Sequence, residues 1–168
     1  MQIAKGVEWA AHAAVLLSAL PAGRGLKAEA LARYHSVPGP YMAKQMQALS
    51  SAGLVVSVRG AAGGYRLARP ARDISLKDVF LAVEGAAPSF RCTEVRQNGP
   101  CGAAKAQCRK PCGIAASFYA AETAFRDSLA GVTIMDVVAS ASAASDLGKA
   151  AKIAAWIQSN ASRPGTER

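Results

Sequence analysis

A mainly α-helical fold organised as a winged helix-turn-helix is predicted by three observations. Two short amphipathic segments are separated by VPGP, Val37 to Pro40; two runs rich in Val, Leu and Tyr follow; and most of the positive charge lies over the same stretch. Of a formal net charge of +9 over 168 residues, the segment from Arg24 to Arg72 carries +7. Its basic residues are Arg24, Lys27, Arg33, Lys44, Arg59, Arg66, Arg69 and Arg72, opposed by Glu29 alone. Charge gathered into one third of a chain suits a polyanionic partner better than an evenly solvated face does.

The elements follow in order. QIAKGVEWAAHAAVLLSAL, Gln2 to Leu20, is apolar almost all round from Ala10 onward and predicts a buried first helix. Glu8 and His12 interrupt it one turn apart, about 6 Å along the axis. Such a pair can be a solvent-facing hydrogen-bonded couple, a satisfied core histidine with a neighbour, or two ligands to one ion or cluster. LKAEALARYHS, Leu26 to Ser36, sets Leu26, Ala30 and Tyr34 on one stripe with Lys27 and Arg33 off it, a short second helix. Pro38 and Pro40 cannot continue a hydrogen-bonded helix, Gly39 permits a sharp turn, and Pro40 suits the first position of the next helix. Tyr41 to Ser51 predicts that third helix, with Met42, Met46 and Leu49 inward, Tyr41, Lys44, Gln45 and Gln47 outward, and a stop at Gly53. LVVSVRG and YRLARP predict two strands joined across Gly60 to Gly64.

Helix, turn, helix and basic hairpin in that order present polar groups to a duplex. Lys27, Pro40, Tyr41, Lys44, Gln45 and Gln47 on the helices, and Arg59 and Arg66 on the hairpin, are the expected DNA-binding residues, able to contact phosphates and base edges. Two helices and a hairpin also occur in folds that bind nothing, and the charge asymmetry decides between the readings. The GAAGGY loop joins two strands and lacks the GxxxxGK[ST] pattern, so it is not a phosphate cradle. No HExxH, GxSxG, Walker or CxxC pattern is present, which argues against an enzyme and against a small-molecule substrate. The longest apolar run, Ala10 to Leu20, is too short to cross a bilayer, and no secretory leader is evident. A cytoplasmic protein without a membrane partner is expected.

All four cysteines fall within CTEVRQNGPCGAAKAQCRKPC, Cys92 to Cys112. In a reducing compartment such a cluster serves metal, iron–sulfur or redox chemistry more often than structural disulfides. Only Cys108 and Cys112 approach the spacing of a zinc knuckle, so a zinc-stabilised DNA-binding or adaptor protein without redox sensing is the weaker alternative. Beyond the loop Ile114, Phe118, Ala121, Phe125 and Leu129 form one apolar stripe from Cys112 to Ala130, a long helix suited to burial against a partner helix.

The segments GVEWAAHAAVLL, SVPGPYMAKQMQALSSAGLVVSVRGAAGGYRLARP and DISLKDVFLAVEG, with the cysteine loop and its long helix, resemble the bacterial iron–sulfur winged-helix repressors of the IscR and NsrR type, and among them the redox regulator RsrR. The resemblance implies a homodimer that binds double-stranded promoter DNA and carries an iron–sulfur cluster on the loop before a dimerisation helix. In the RsrR-like pattern Glu8 and His12 of one subunit join two cysteines of the other, and this chain has both residues at matching positions. Six groups then compete for four ligand sites: Glu8, His12, Cys92, Cys101, Cys108 and Cys112. Spacing favours Cys108 and Cys112, with Cys92 next and Cys101 the most dispensable. Four thiolates leave a [2Fe-2S]2+ core with two net negative charges, whereas two thiolates, a carboxylate and a neutral imidazole leave one, which favours reduction. A redox sensor is therefore expected, with Trp9 between the two helix ligands as a switch residue, and the resemblance favours [2Fe-2S] over [4Fe-4S].

The expected organisation is a winged helix-turn-helix over 1–85, a cluster-binding loop over 86–112, a dimerisation helix over 113–140 and an Ala-rich extension over 141–168. Within that extension Leu147 to Ile157 predicts a short helix, and the polar end SRPGTER a peripheral tail.

Overall fold

The computed structural model describes residues 3–58, 63–143 and 147–162. Helix α1 spans Lys5–Ser18 and buries a stripe of small and aliphatic residues, Gly6, Ala10, Ala13, Ala14, Leu16 and Leu17. Small side chains at the crossing let a neighbouring helix approach closely. Helix α2, Ala28–His35, starts two residues later than its apolar stripe suggests. Leu26 is extended there because it exchanges backbone hydrogen bonds with Tyr65 (3.0 and 2.7 Å), which withdraws it from the helix. The helix ends on Ser36 in the left-handed region (φ 54°), where the Val37 N–H donates to the Ala32 carbonyl at 2.9 Å.

Helix α3 spans Gly39–Ser51, with Pro40 in its second position. It begins earlier than expected because the Pro38 carbonyl accepts from the N–H groups of both Tyr41 and Met42. Pro40 itself has no N–H to satisfy, so the first turn loses nothing by holding it. Strands β1, Val55–Val58, and β2, Gly64–Leu67, pair antiparallel with Val56 opposite Arg66 and Ser57 opposite Tyr65. Arg59, an expected DNA contact at the hairpin tip, lies outside the described residues. Helix α4, Leu76–Glu84, opens on a reciprocal capping box. Ser75 Oγ accepts from the Asp78 N–H at 3.1 Å, and Asp78 Oδ2 accepts from the Ser75 N–H at 2.9 Å.

These elements close around one core in which Leu26, Leu31, Met42, Met46, Leu49, Ile74 and Val79 are fully buried. Burying each such side chain contributes about 1.5–3 kcal/mol. The loop after α4 makes two single turns, Val95–Gln97 and Lys105–Gln107, before α5, Gly113–Ala130.

The stretch 113–140, expected as one dimerisation helix, holds two helices. Gly131 ends α5, and Thr133 and Asp136 cap a new helix, α6, Ile134–Ala143. Ile134 then joins the core, and its N–H donates to the Ile74 carbonyl at 2.8 Å, so the chain returns to the winged helix after α5. The last helix, α7, runs Leu147–Asn160 and packs Ile157 into the same core, longer and more integrated than its sequence suggests.

Candidate nucleic-acid interface and cysteine loop

On α3 the side chains divide by helical period. Pro40, Tyr41, Lys44 and Gln47 lie on the exposed side, with Tyr41 58% exposed, while Met42, Met46 and Leu49 are fully buried. Gln45, expected among the exposed DNA contacts, belongs to the buried side at 5% exposure. The physical reason is the crossing with α1. Gly6 leaves room for the amide, whose Oε1 would lie 2.8 Å from any Cβ placed there, and Gln45 Nε2 donates to the Tyr41 carbonyl at 3.3 Å. The signal was in the sequence, because Gln45 stands three residues after Met42 and four before Leu49, on the apolar stripe itself.

Lys27, at the N-cap of α2, and Arg66, on β2, are exposed. Arg69, which adds to the basic excess, is held by its own domain: Nη2 meets Asp78 Oδ2 at 3.2 Å and Nε donates to the Asp73 carbonyl. The duplex-facing candidates that the fold brings together are therefore Pro40, Tyr41, Lys44 and Gln47 on one helix face.

Glu8 and His12 are exposed on α1. They do not hydrogen-bond each other, and among the described residues Glu8 has no hydrogen bond or ion pair. The His12 ring lies 5.6 Å from that of His35, centroid to centroid. Burial, and secondly the neighbouring His12, hold the His35 imidazole below its ordinary pKa. Trp9, half-buried between the pair, meets Tyr41 edge-on with ring centroids 5.9 Å apart, so one aromatic contact joins this face of α1 to the exposed face of α3.

The four thiols are unpaired; Cys92 and Cys101 are exposed, and Cys108 and Cys112 are half-buried. Cys112 is the N-cap of α5, and its Sγ accepts from the Ala115 N–H at 3.5 Å. Sequence reasoning passed over Arg96, which ties the loop together. Its guanidinium pairs with Glu94 and donates to the Lys110 carbonyl at 2.8 Å, while its own carbonyl accepts from the Ala103 N–H at 2.8 Å. These bonds hold the Glu94 carboxyl below the usual carboxylate range and raise the guanidinium above its own. The signal available was that Glu94 is the one acidic residue between Cys92 and Cys112, two positions from Arg96.

Among the described residues no three His, Cys, Asp or Glu side chains of one chain converge on a common point. Thiol, carboxylate and imidazole are suitable donors for iron. The apolar stripe of α5 is also incomplete: Ile114 is 68% and Phe118 53% exposed, and the one buried residue of the helix, Ala115, lies off the stripe. Phe90 stacks on Phe118 (4.6 Å) and Phe125 meets Phe80 (5.3 Å). Arg126 and Glu122 fasten the segment 86–89 to α5, the first donating to the Ala86 and Ala87 carbonyls and the second accepting from the Ser89 N–H.

A basic winged helix-turn-helix followed by a cysteine loop and an uncovered helix defines a transcription regulator of the DNA-binding class. The chain belongs to the Rrf2 family, described as iron-dependent transcriptional regulators, whose profile matches residues 3–140. It is 41% identical over 85 residues to YwgB of Bacillus subtilis, named as a proposed HTH-type transcriptional regulator, a match spanning 51% of this chain and 54% of that protein. It is 37% identical over 108 residues to Protein aau3 of Rhizobium meliloti, spanning 64% and 66% respectively. The chain thus spans roughly half to two thirds of these relatives' length. Among solved structures, the fold matches T. potens IscR with a TM-score of 0.65 at 22% identity, over 90% of this chain and 96% of that one. It matches oxidised CymR of Staphylococcus aureus with a TM-score of 0.59 at 23% identity, over 82% and 96%. The family and YwgB are named as regulators of transcription, not as enzymes, and no described helix is long and apolar enough to cross a membrane.

Proposed function

We propose that this protein is a homodimeric repressor whose promoter affinity is switched by the redox or assembly state of an iron–sulfur cluster, [2Fe-2S] in preference to [4Fe-4S]. The observation that carries the reading is the incompleteness of two surfaces in one chain. Glu8 and His12 stand exposed and unjoined on α1, the half-buried Cys108 and Cys112 stand at the head of α5, and the stripe of α5 is only partly covered, with Ile114 and Phe118 exposed. A second copy packed along α5 would cover Ile114 and Phe118 and could bring the cysteine pair of one subunit to the Glu8–His12 pair of the other. Bound there, the cluster would supply one-electron redox chemistry.

This chain's own residues would do the rest. Cys108 and Cys112 hold the loop end of the site, with Cys92 the next candidate and Cys101 the most dispensable. Glu8 and His12 hold the α1 end, closest to the RsrR-like arrangement. Trp9 carries a displacement of α1 to Tyr41 through their edge-on contact, and so to the face that holds Lys44 and Gln47. Lys27 and Arg66 add phosphate contacts at the helix start and the wing.

The test is anaerobic purification with absorption and EPR spectra of the parent, Glu8→Ala and His12→Ala. A coloured protein whose spectrum changes in both variants supports the ligation; an unchanged spectrum sinks it. A colourless, zinc-loaded protein would return the zinc alternative. DNA affinity that is the same for oxidised, reduced and cluster-free protein removes the sensor role.

A further inference from the structure

Helix α7 lies beyond residue 140, where the family match ends, yet it is built into the winged helix. Ile157 is 3% exposed in the core, and Trp156 meets Tyr34 of α2 edge-on with ring centroids 4.6 Å apart. Past its last turn the chain reaches the segment that precedes α2. The Ser162 N–H donates to the Gly25 carbonyl, the Gly25 N–H donates to Ser162 Oγ, and Arg24 Nε donates to the Ser162 carbonyl, each at 2.8 Å.

The neighbour of Gly25 completes the connection. Leu26 exchanges two backbone hydrogen bonds with Tyr65 of β2, so hydrogen bonding runs without a gap from β1 through β2 and Gly25–Leu26 to Ser162. The approach is close enough to require glycine on both sides. A Cβ on Gly64 would stand 2.8 Å from the backbone of Leu26, and one on Gly25 would stand 3.0 Å from that of Gly64.

A two-stranded hairpin is marginal on its own in water, and its direction is set by whatever pairs with its base. Here the base pairs with one extended residue, Leu26, and that residue's segment is held from its other side by Ser162. We propose that α7 and Ser162 form a brace that sets the wing against α2 and α3, making Ser162 and Trp156 positioning residues for DNA binding. The inference rests on the wing, through Arg66, contacting DNA.

The full-length chain carrying Ser162→Pro, which removes both the N–H and the hydroxyl, tests it beside Ser162→Ala, which removes the hydroxyl alone. Amide hydrogen exchange at Leu26 and Tyr65 is expected to rise about tenfold in Ser162→Pro, with Leu49 and Val79 unchanged, and to rise less in Ser162→Ala. Affinity for a mixed-sequence linear duplex is expected to fall about three- to tenfold, and the slope of log affinity against log salt to become shallower by about 0.9, one lost phosphate contact. Unchanged exchange at Leu26 and Tyr65 overturns the brace whatever the DNA result. Faster exchange there with unaltered affinity and salt slope overturns the positioning role, as does faster exchange at every core amide. If the parent itself fails to bind the duplex, the DNA reading of the wing fails with the positioning role, while exchange still decides the brace.

Discussion

The winged helix and the segment from the cysteine loop through α5 differ in how far one chain satisfies them. In the first, two helices, a hairpin and α4 close over Leu26, Leu31, Met42, Met46 and Leu49 until nothing of those side chains meets water. In the second, an 18-residue helix buries only Ala115. Its loop is held by the bonds of Arg96 and Glu94 rather than by a core. A marginally stable domain cannot leave its own core open, but it can leave open a surface that an outside partner completes. The difference separates the residues that make the fold from those that the proposed function assigns to DNA, a second subunit or a metal.

The largest expected effect attacks the closed half. Met46→Ala should cost about 2–5 kcal/mol in urea denaturation, because it leaves a cavity in a packed core. If Phe118→Ala costs as much in a monomeric sample, the contrast between the two halves fails. Gln45→Ala comes next, at about 1–2 kcal/mol of stability with the salt slope of DNA binding retained. Lys44→Ala, one residue earlier, should do the reverse. Stability stays within about 0.5 kcal/mol while the salt slope falls by about 0.9, read in a salt titration of duplex binding. Ser75→Ala removes half of the capping box of α4 and should cost about 1 kcal/mol. On the open half, Phe118→Ser should cost the monomer no more than the stack on Phe90 is worth, about 0.5–1.5 kcal/mol, and weaken self-association in sedimentation velocity. Unaltered association would exclude the α5 face from the subunit contact.

How much of this was legible in the sequence follows the same division. The periodicity of Met42, Met46 and Leu49 and the break at VPGP placed the helix-turn-helix to within a few residues, because core burial writes itself as spacing. The beginning of α2 was misplaced because Leu26 obeys a strand partner, Tyr65, thirty-nine residues away, which no local pattern reveals. Gln45 was misassigned because polarity was read in place of position, although Gly6 had left the space that lets an amide be buried. The stripe helix ends at Ala130 in sequence and structure alike, and the separate helix that follows is signalled by Gly131 and the Thr133–Asp136 capping pair. The integration of α7 was illegible, since Trp156 and Ile157 find their partners in α2 and the core only after folding. The proposed ligands are legible only as a collection of competent donors, and among the described residues no three of them converge.

Cys112 ties the two kinds of chemistry to one atom. Its sulfur closes the loop and also receives the Ala115 N–H that starts α5. A reagent that oxidises or alkylates this sulfur therefore acts on the very atom that caps the opening turn of the helix. Ile114, two residues on, and Phe118, six residues on, are the exposed large apolar side chains of that helix, so the capped first turn adjoins the open face of α5.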